Sequence, residues 1–228
     1  MCGRVSMSQT REETITYLTD EYAIGELSEA ILLPRYNVGP GQQLLAVIHD
    51  GKHFRAGTLK WGFVPFFAKN ASGGYAMINA KAETIAERSA YRSALSVKRC
   101  VILADGFYEW KFEDHRKIPY RIVLRNHSLF AIAGLWSNFI RPDGTPLYTC
   151  TLITTSANAM MAPIHERMPV ILTPEAKSIW LDPTVTDPGP LTKILLPYDA
   201  AAMEGYEVSR VVNDATHDVP ECIARLHS

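Results

Sequence analysis

Cys100-Val101-Ile102-Leu103, Phe107-Tyr108-Glu109-Trp110-Lys111-Phe112, Tyr120-Arg121-Ile122-Val123-Leu124, Leu129–Leu135 and Tyr148–Thr155 are five β-rich runs within one stretch, Lys98 to Thr155. Their connections include Arg116-Lys117, Asn126-His127 and Pro142-Asp143-Gly144, too short for the crossover helices that parallel pairing requires. The stretch therefore predicts an antiparallel meander, curled or closed into a barrel-like sheet.

Outward from this centre the flanks read as short helices and loops. Thr10-Arg11-Glu12-Glu13 has capping-box spacing, with Ile15, Leu18 and Tyr22 following at helical intervals, which predicts a helix from about Thr10 to Tyr22. Leu33 to Pro40 is punctuated by proline and glycine and reads as an ordered loop. Leu44–Ile48, a turn at Asp50-Gly51 and Gly57–Val64 form a hairpin pattern. Thr84-Ile85-Ala86-Glu87 repeats the capping-box spacing and predicts a helix to about Leu95. A short helix is expected near Ser156–Met161, stopping at Pro163, and Thr173-Pro174-Glu175 opens another to about Leu181. The polar tail from Asn213 is expected to fray. No repeat or linker divides the chain. The expected fold class is α+β, a mainly antiparallel, barrel-like sheet flanked by short helices in a single domain spanning 1–228.

Composition narrows the function classes. With 228 residues and 47% hydrophobic content the chain can bury a substantial core. No run approaches the ~20 apolar residues that span a bilayer, and no charged-then-apolar leader is present, so a cytosolic protein, in a bacterial cytosol or at its nucleoid, is expected and no membrane partner. Cys2, Cys100, Cys150 and Cys222 lack CxxC or Cys/His spacing, which argues against a metal site, a cofactor built on one and a disulfide framework. Cys100 and Cys150 lie in apolar runs and read as core. The net charge of −1 gives no global sign of nucleic-acid binding. Locally, seven basic residues (Lys60, Lys69, Lys81, Arg88, Arg92, Lys98, Arg99) stand against Glu83 and Glu87, which is compatible with one basic face.

The N-terminus, Met1-Cys2-Gly3-Arg4, carries distinctive chemistry. Cysteine is small enough to permit removal of Met1, which would leave Cys2 as a 1,2-aminothiol. An α-amine of pKa roughly 7.7–8.0 beside a thiol near about 8.5 can attack an aldehyde through nitrogen and close a thiazolidine through sulfur. Three segments place ionisable or amide groups inside otherwise apolar runs: Asn79-Ala80-Lys81-Ala82-Glu83, Ala104 to Trp110, and His165-Glu166-Arg167. A carboxylate held between Tyr108 and Trp110 would have a raised pKa suited to proton transfer, whereas local sequence alone favours a solvent-facing Glu109 and an ordinary loop histidine at His165. Pro65-Phe66-Phe67, ahead of Ser72-Gly73-Gly74, places two aromatics where they either stack on bases or close the core.

These motifs together, with Tyr36-Asn37-Val38 before Pro40, Trp61-Gly62, Ile78 to Thr84, and His165 with Arg167-Met168-Pro169-Val170, resemble the SOS response-associated peptidase (SRAP) family of abasic-site processing proteins. The resemblance runs from residue 2 to about residue 172, in order. It implies a domain that binds single-stranded DNA and captures the aldehyde of an abasic site through Cys2 as a thiazolidine crosslink, and a monomer is expected. It also implies associated lyase-like and autopeptidase activity, the latter because Met1 must be removed. Asn79 would position Cys2 or the opened sugar, Glu109 would shuttle protons and His165 would assist at the sugar hydroxyl. Arg4, Lys81 and Arg167 would meet phosphates, with Asn37 also on the DNA-binding surface and Trp110, Phe66 and Phe67 against bases. The chain departs from the family pattern at Val5, Gly39 and Lys81, which replace an aromatic, an alanine and an arginine. Lys81 keeps the charge but loses the guanidinium fork. Two other classes stay open: a thiol peptidase using Cys2, His165 and Glu109 on external peptides, and a binding module without chemistry.

Overall fold

The computed structural model describes residues 2–73 and 77–226. Met1 and Gly74, which belong to two of the motifs above, lie outside the described residues. In chain order the elements are β1 (Val5–Met7), α1 (Arg11–Tyr22), β2 (Arg35–Val38), β3 (Gln43–His49), β4 (Phe54–Trp61), β5 (Asn79–Lys81), α2 (Ser89–Val97) and β6 (Arg99–Ala104). There follow β7 (Gly106–Glu113), β8 (Arg116–Leu124), β9 (Phe130–Ile140), β10 (Pro146–Ser156), β11 (Arg167–Pro169), α3 (Pro174–Leu181), α4 (Pro188–Lys193) and β12 (Met203–Glu207).

The strands form a closed barrel and a second sheet. Around the barrel the order is β10-β4-β3-β6-β9, closed by β9 pairing back to β10, while β5 and β11 add to β10. The second sheet runs β12-β8-β7-β1-β2 and is antiparallel throughout. The expected α+β class and barrel hold, but the simple meander does not. β6 pairs with β3 and β9, whereas β7 pairs with β1 and β8, so the chain changes sheets at Asp105-Gly106. β4 and β5 also lie parallel to β10, pairings that sequence-adjacent hairpins do not announce.

Continuous burial explains why the central runs are apolar rather than alternating. On β6, Cys100 and Ile102 pack with Phe107 and Ile122 of the second sheet, while Val101 and Leu103 pack with Leu18, Leu95 and Trp180 of the helices. Arg99 is buried between them and its guanidinium donates to the carbonyls of Leu95 and Ser96 in α2 and of Trp180 and Asp182 at the end of α3. A cation so placed answers the orphan carbonyls and negative dipole ends of two helices. It also leaves the basic run of residues 60–99 without one of its members at the surface.

α1 has the expected capping box, Thr10 and Glu13 each bonding the other's backbone N–H. α3 starts at Pro174 behind an Thr173 cap, as expected. The second capping-box spacing fails: residues 82–84 form a 3-10 turn, the Thr84 hydroxyl is buried without a partner among the described residues, and α2 begins only at Ser89. Near Ser156–Met161 there is no helix. β10 runs through Ser156, and Asn158 then takes the N–H of Met161 on both its carbonyl and its side-chain oxygen, making consecutive turns instead. The segment expected to fray from Asn213 is held down. Val212 and Cys222 are fully buried, and the Asp218 carboxylate accepts from the N–H groups of Tyr36 and Asn37.

Candidate functional site

β1 delivers the N-terminus. Its pairing with β7 sets Val5 opposite Phe107 and Ser6 opposite Gly106, and the N–H of Tyr108 donates to the carbonyl of Arg4 at 2.9 Å. This brings Cys2 alongside Glu109. β10 delivers the other two groups, with Asn79 on β5 opposite Leu152 and His165 just ahead of β11. Asn79 Nδ2 donates to the carbonyl of Cys2 at 2.7 Å, and Asn79 Oδ1 is buried without a partner among the described residues. The clasp fixes the backbone of residue 2 and leaves an acceptor available beside it.

Cys2 is fully buried, and its Sγ lies 3.8 Å from the carbonyl of Arg4. Burial, then the charge of Glu109, pushes the thiol well above its ordinary value. Glu109 is 3% exposed, so the solvent-facing alternative fails. Burial raises its carboxyl above the usual range, and nearby His165 opposes that shift. The His165 Nδ1 accepts from the N–H of Arg167 at 2.9 Å, which presents Nε2 as the other working nitrogen. Cys2, Asn79, Glu109 and His165 therefore converge, from three different strand neighbourhoods.

The residues expected at DNA are placed less uniformly. Phe66 and Phe67 are 60% and 55% exposed and meet edge to face at 5.3 Å, so they do not close the core. Lys81 is exposed and shares a β5 face with Asn79. Arg167 is engaged: its Nη1 and Nη2 meet Glu83 Oε1 and Oε2 at 2.6 and 2.9 Å, and Nη2 also donates to the carbonyl of Thr154. Arg4 Nη1 donates to Asn37 Oδ1 at 2.6 Å and to the carbonyl of Val212 at 2.7 Å. Trp110 is half-buried and its Nε1 donates to Asn213 Oδ1 in the C-terminal segment.

Asn37 sits away from the surface expected of it: it is fully buried and its amide donates to the carbonyls of Asp214 and His217, so it anchors the C-terminal segment. Sequence reasoning missed the anchor of the N-terminal strand, Asp105. Its carboxylate accepts from Ser6 Oγ, from Ser8 Oγ and from Arg121 Nη2 at 2.7, 2.6 and 2.9 Å. An ionisable residue beside a glycine between two apolar runs was the available signal. A Cβ on Gly106 would stand 2.7 Å from Arg121 Nε and 2.8 Å from Ser6 Oγ, so only glycine fits there. An apolar cleft of about 320 Å³ beneath Ile31 and Leu33 contains none of the reactive residues.

The profile of the family described as SOS response associated peptidase (SRAP) matches residues 1–215. The chain belongs to the SRAP family. It is 48% identical over 225 residues to abasic site processing protein YoqW of Bacillus subtilis, covering 98% of this chain and 99% of that one. Similarity extends to abasic site processing protein HMCES of Gallus gallus, 33% identical over 232 residues, covering 88% and 68% of the two chains. A crystal structure of a protein from Bacteroides thetaiotaomicron superposes with a TM-score of 0.86 at 26% identity, covering 98% of this chain and 99% of that one. The converging residues and the clasp on Cys2 thus sit in an SRAP fold.

Proposed function

We propose that this SRAP protein binds single-stranded DNA and captures the ring-opened aldehyde of an abasic site on Cys2 once Met1 has been removed, shielding the lesion during the DNA damage response. The observation that carries this reading is the 2.7 Å clasp of Asn79 on the Cys2 carbonyl, with the buried Glu109 carboxyl beside the same residue. In the proposed course the Cys2 amine adds to the aldehyde carbon, giving a carbinolamine. Protonated Glu109 donates to the departing hydroxyl, water leaves and an imine forms. Cys2 Sγ then adds to the imine carbon as its proton passes to Glu109, closing the five-membered ring. One water is lost in total. The partner is an abasic single strand, the working form a monomer and the compartment the cytosol. Strand cleavage by elimination from the imine is the competing outcome.

The thiol peptidase alternative needs a thiolate stabilised by imidazolium. Here burial and a neighbouring carboxylate act in the opposite direction on Cys2, which favours the capture reading. Intact mass after incubation with an abasic oligonucleotide tests it: the expected product is the Met1-free protein plus the oligonucleotide less one water, stable to denaturation. No covalent species, or turnover of peptides in its place, would sink the reading.

Glu109→Gln keeps size and hydrogen bonding but cannot cycle a proton. Crosslinking is expected to slow by about 10²–10⁴. As the proton donor, Glu109 must be protonated, so the parent rate falls as pH rises through its raised pKa. That limb of the rate profile disappears in the variant. Parent-like rates across neutral pH in Glu109→Gln would assign the carboxylate a structural role only.

Undamaged single strands are expected to bind with log K falling by about 0.7 per phosphate contact for each tenfold rise in salt. Lys81→Arg restores the bidentate fork and should bind at least as tightly as the parent. Salt-independent binding measured by fluorescence anisotropy would contradict an electrostatic interface, and weaker binding by Lys81→Arg would give Lys81 another role.

A further inference from the structure

A groove of about 450 Å³ begins where the reactive cluster ends. Lys111, Tyr120 and Arg125 line it with Met160, Ile164 and Gly205. Its continuity with the cluster is direct: Tyr120 is the cross-strand partner of Glu109, and Ile164 adjoins His165 in sequence. Lys111 is paired with Ile118, Gly205 with Ile122, and Arg125 follows the end of β8. At ~3.4 Å per residue that register makes the groove roughly 24 Å long, running along β8.

The two ends are cationic and the middle is apolar. Lys111 Nζ holds Glu113 at 2.8 Å in a surface pair, which is readily exchanged. Arg125 is exposed and uses Nε on the carbonyl of Ala201, with no hydrogen bond to its Nη groups among the described residues. Between them lie the half-buried Tyr120 ring, the Met160 thioether and Ile164, and Gly205 puts no side chain over the floor. Glu204 also lines the groove, and its carboxylate is answered by Arg225 at 3.2 Å. Cations at the two ends of an aromatic surface match a single nucleic-acid strand, since every base offers a π-face to stack.

We propose that this groove holds the nucleotides flanking the captured sugar on one side, with a base on Tyr120 and phosphates at Lys111 and Arg125. The proposal rests on the capture reading and assigns that site a strand polarity: the lesion is presented with a required flank on one side only.

The test uses abasic oligonucleotides carrying six nucleotides on the 5′ side alone, on the 3′ side alone, or on both. The parent is expected to crosslink the doubly flanked substrate and one singly flanked substrate equally, and the other about tenfold more slowly. Tyr120→Leu, which keeps apolar packing but removes the ring, should collapse that difference. Lys111→Ala combined with Arg125→Ala should lower the log–log salt slope for undamaged strands by about 1.4, two contacts' worth, while Arg125→Lys keeps the slope. Thermal melting of each variant checks that it is folded. Equal rates on both singly flanked substrates, or variants that keep the parent's flank preference and salt slope, would overturn the groove proposal. If the parent forms no adduct with any substrate the capture reading fails, and the salt slopes on undamaged strands still decide whether the groove binds DNA.

Discussion

Cys2→Ala protein is expected to form no heat-stable adduct with abasic DNA, yet to be trapped on it by borohydride and to nick the strand at least as readily as the parent. Alanine is also small enough for removal of the initiator methionine, so an α-amine remains in the same position, and Asn79 can still hold the carbonyl of residue 2 because that clasp is to backbone. The amine can therefore reach the aldehyde and form an imine. Without sulfur no ring closes, and the imine either hydrolyses or loses the 3′ phosphate by β-elimination. The expected change is complete for the adduct and small for imine formation, which separates the two halves of the aminothiol. Retention of Met1 should abolish both, since the only α-amine then lies one residue away from the Asn79 clasp. The measurement is denaturing electrophoresis of the three proteins with and without reductant. A heat-stable adduct from Cys2→Ala at the parent's level would rule out the thiazolidine, and Lys81, exposed on the same β5 face as Asn79, would become the better nucleophile.

Features fixed by neighbours in sequence were legible, and those fixed across the fold were not. The capping box at Thr10 and the Thr173-Pro174 start could be read because each is satisfied within one turn. The same spacing at Thr84 misled, because residues 82–84 are pinned beside β5 and β10 before a helix can start, and tertiary position overrode local preference. The five central runs were visible as strands, but burial on both faces erased the alternation that assigns a strand to one sheet. Only the Asp105-Gly106 break hinted that β6 and β7 part company. The C-terminal segment looked frayed because its anchors lie far away in sequence, in the Asn37 amide and the backbone of β2.

The reactive cluster shows the same division. Cys2, Asn79, Glu109 and His165 were found through motifs, and the structure adds why they meet: β10 carries both β5 and β11, while β1 lies against β7. The carboxylate partner of Arg167 could not be read from its own surroundings, since Glu83 stands 84 residues earlier. Such pairing also means that a phosphate must displace Glu83 to claim the Arg167 fork. Arg167 is thereby a weaker phosphate candidate than Lys81.

The largest stability effect is expected at Asp105, which ties the N-terminal strand to the rest of the second sheet. Its carboxylate is buried with the Arg121 guanidinium at 2.9 Å, side-chain exposures being 5% and 7%, and it also takes both the Ser6 and Ser8 hydroxyls. Asp105→Ala would leave the Arg121 charge in low dielectric with, among the described residues, Tyr206 Oη and Ser6 Oγ as its remaining hydrogen-bond partners. Breaking a buried pair in this way costs about 3–5 kcal/mol. At about 2–4 °C per kcal/mol for a chain of this size, the melting temperature should fall by roughly 6–20 °C. Because Ser6 lies within β1 and Ser8 directly follows it, the loss should also loosen Cys2 relative to Asn79 and slow crosslinking at temperatures where the protein is still folded. Asp105→Ala with Arg121→Met removes both charges, and should recover much of the melting temperature. It should not recover the crosslinking rate, because the hydroxyls of Ser6 and Ser8 still lack their acceptor. Differential scanning calorimetry and a crosslinking time course on the single and double variants separate these effects. A single variant melting within about 2 °C of the parent, a shift worth under about 1 kcal/mol, would show that the pair does not anchor β1.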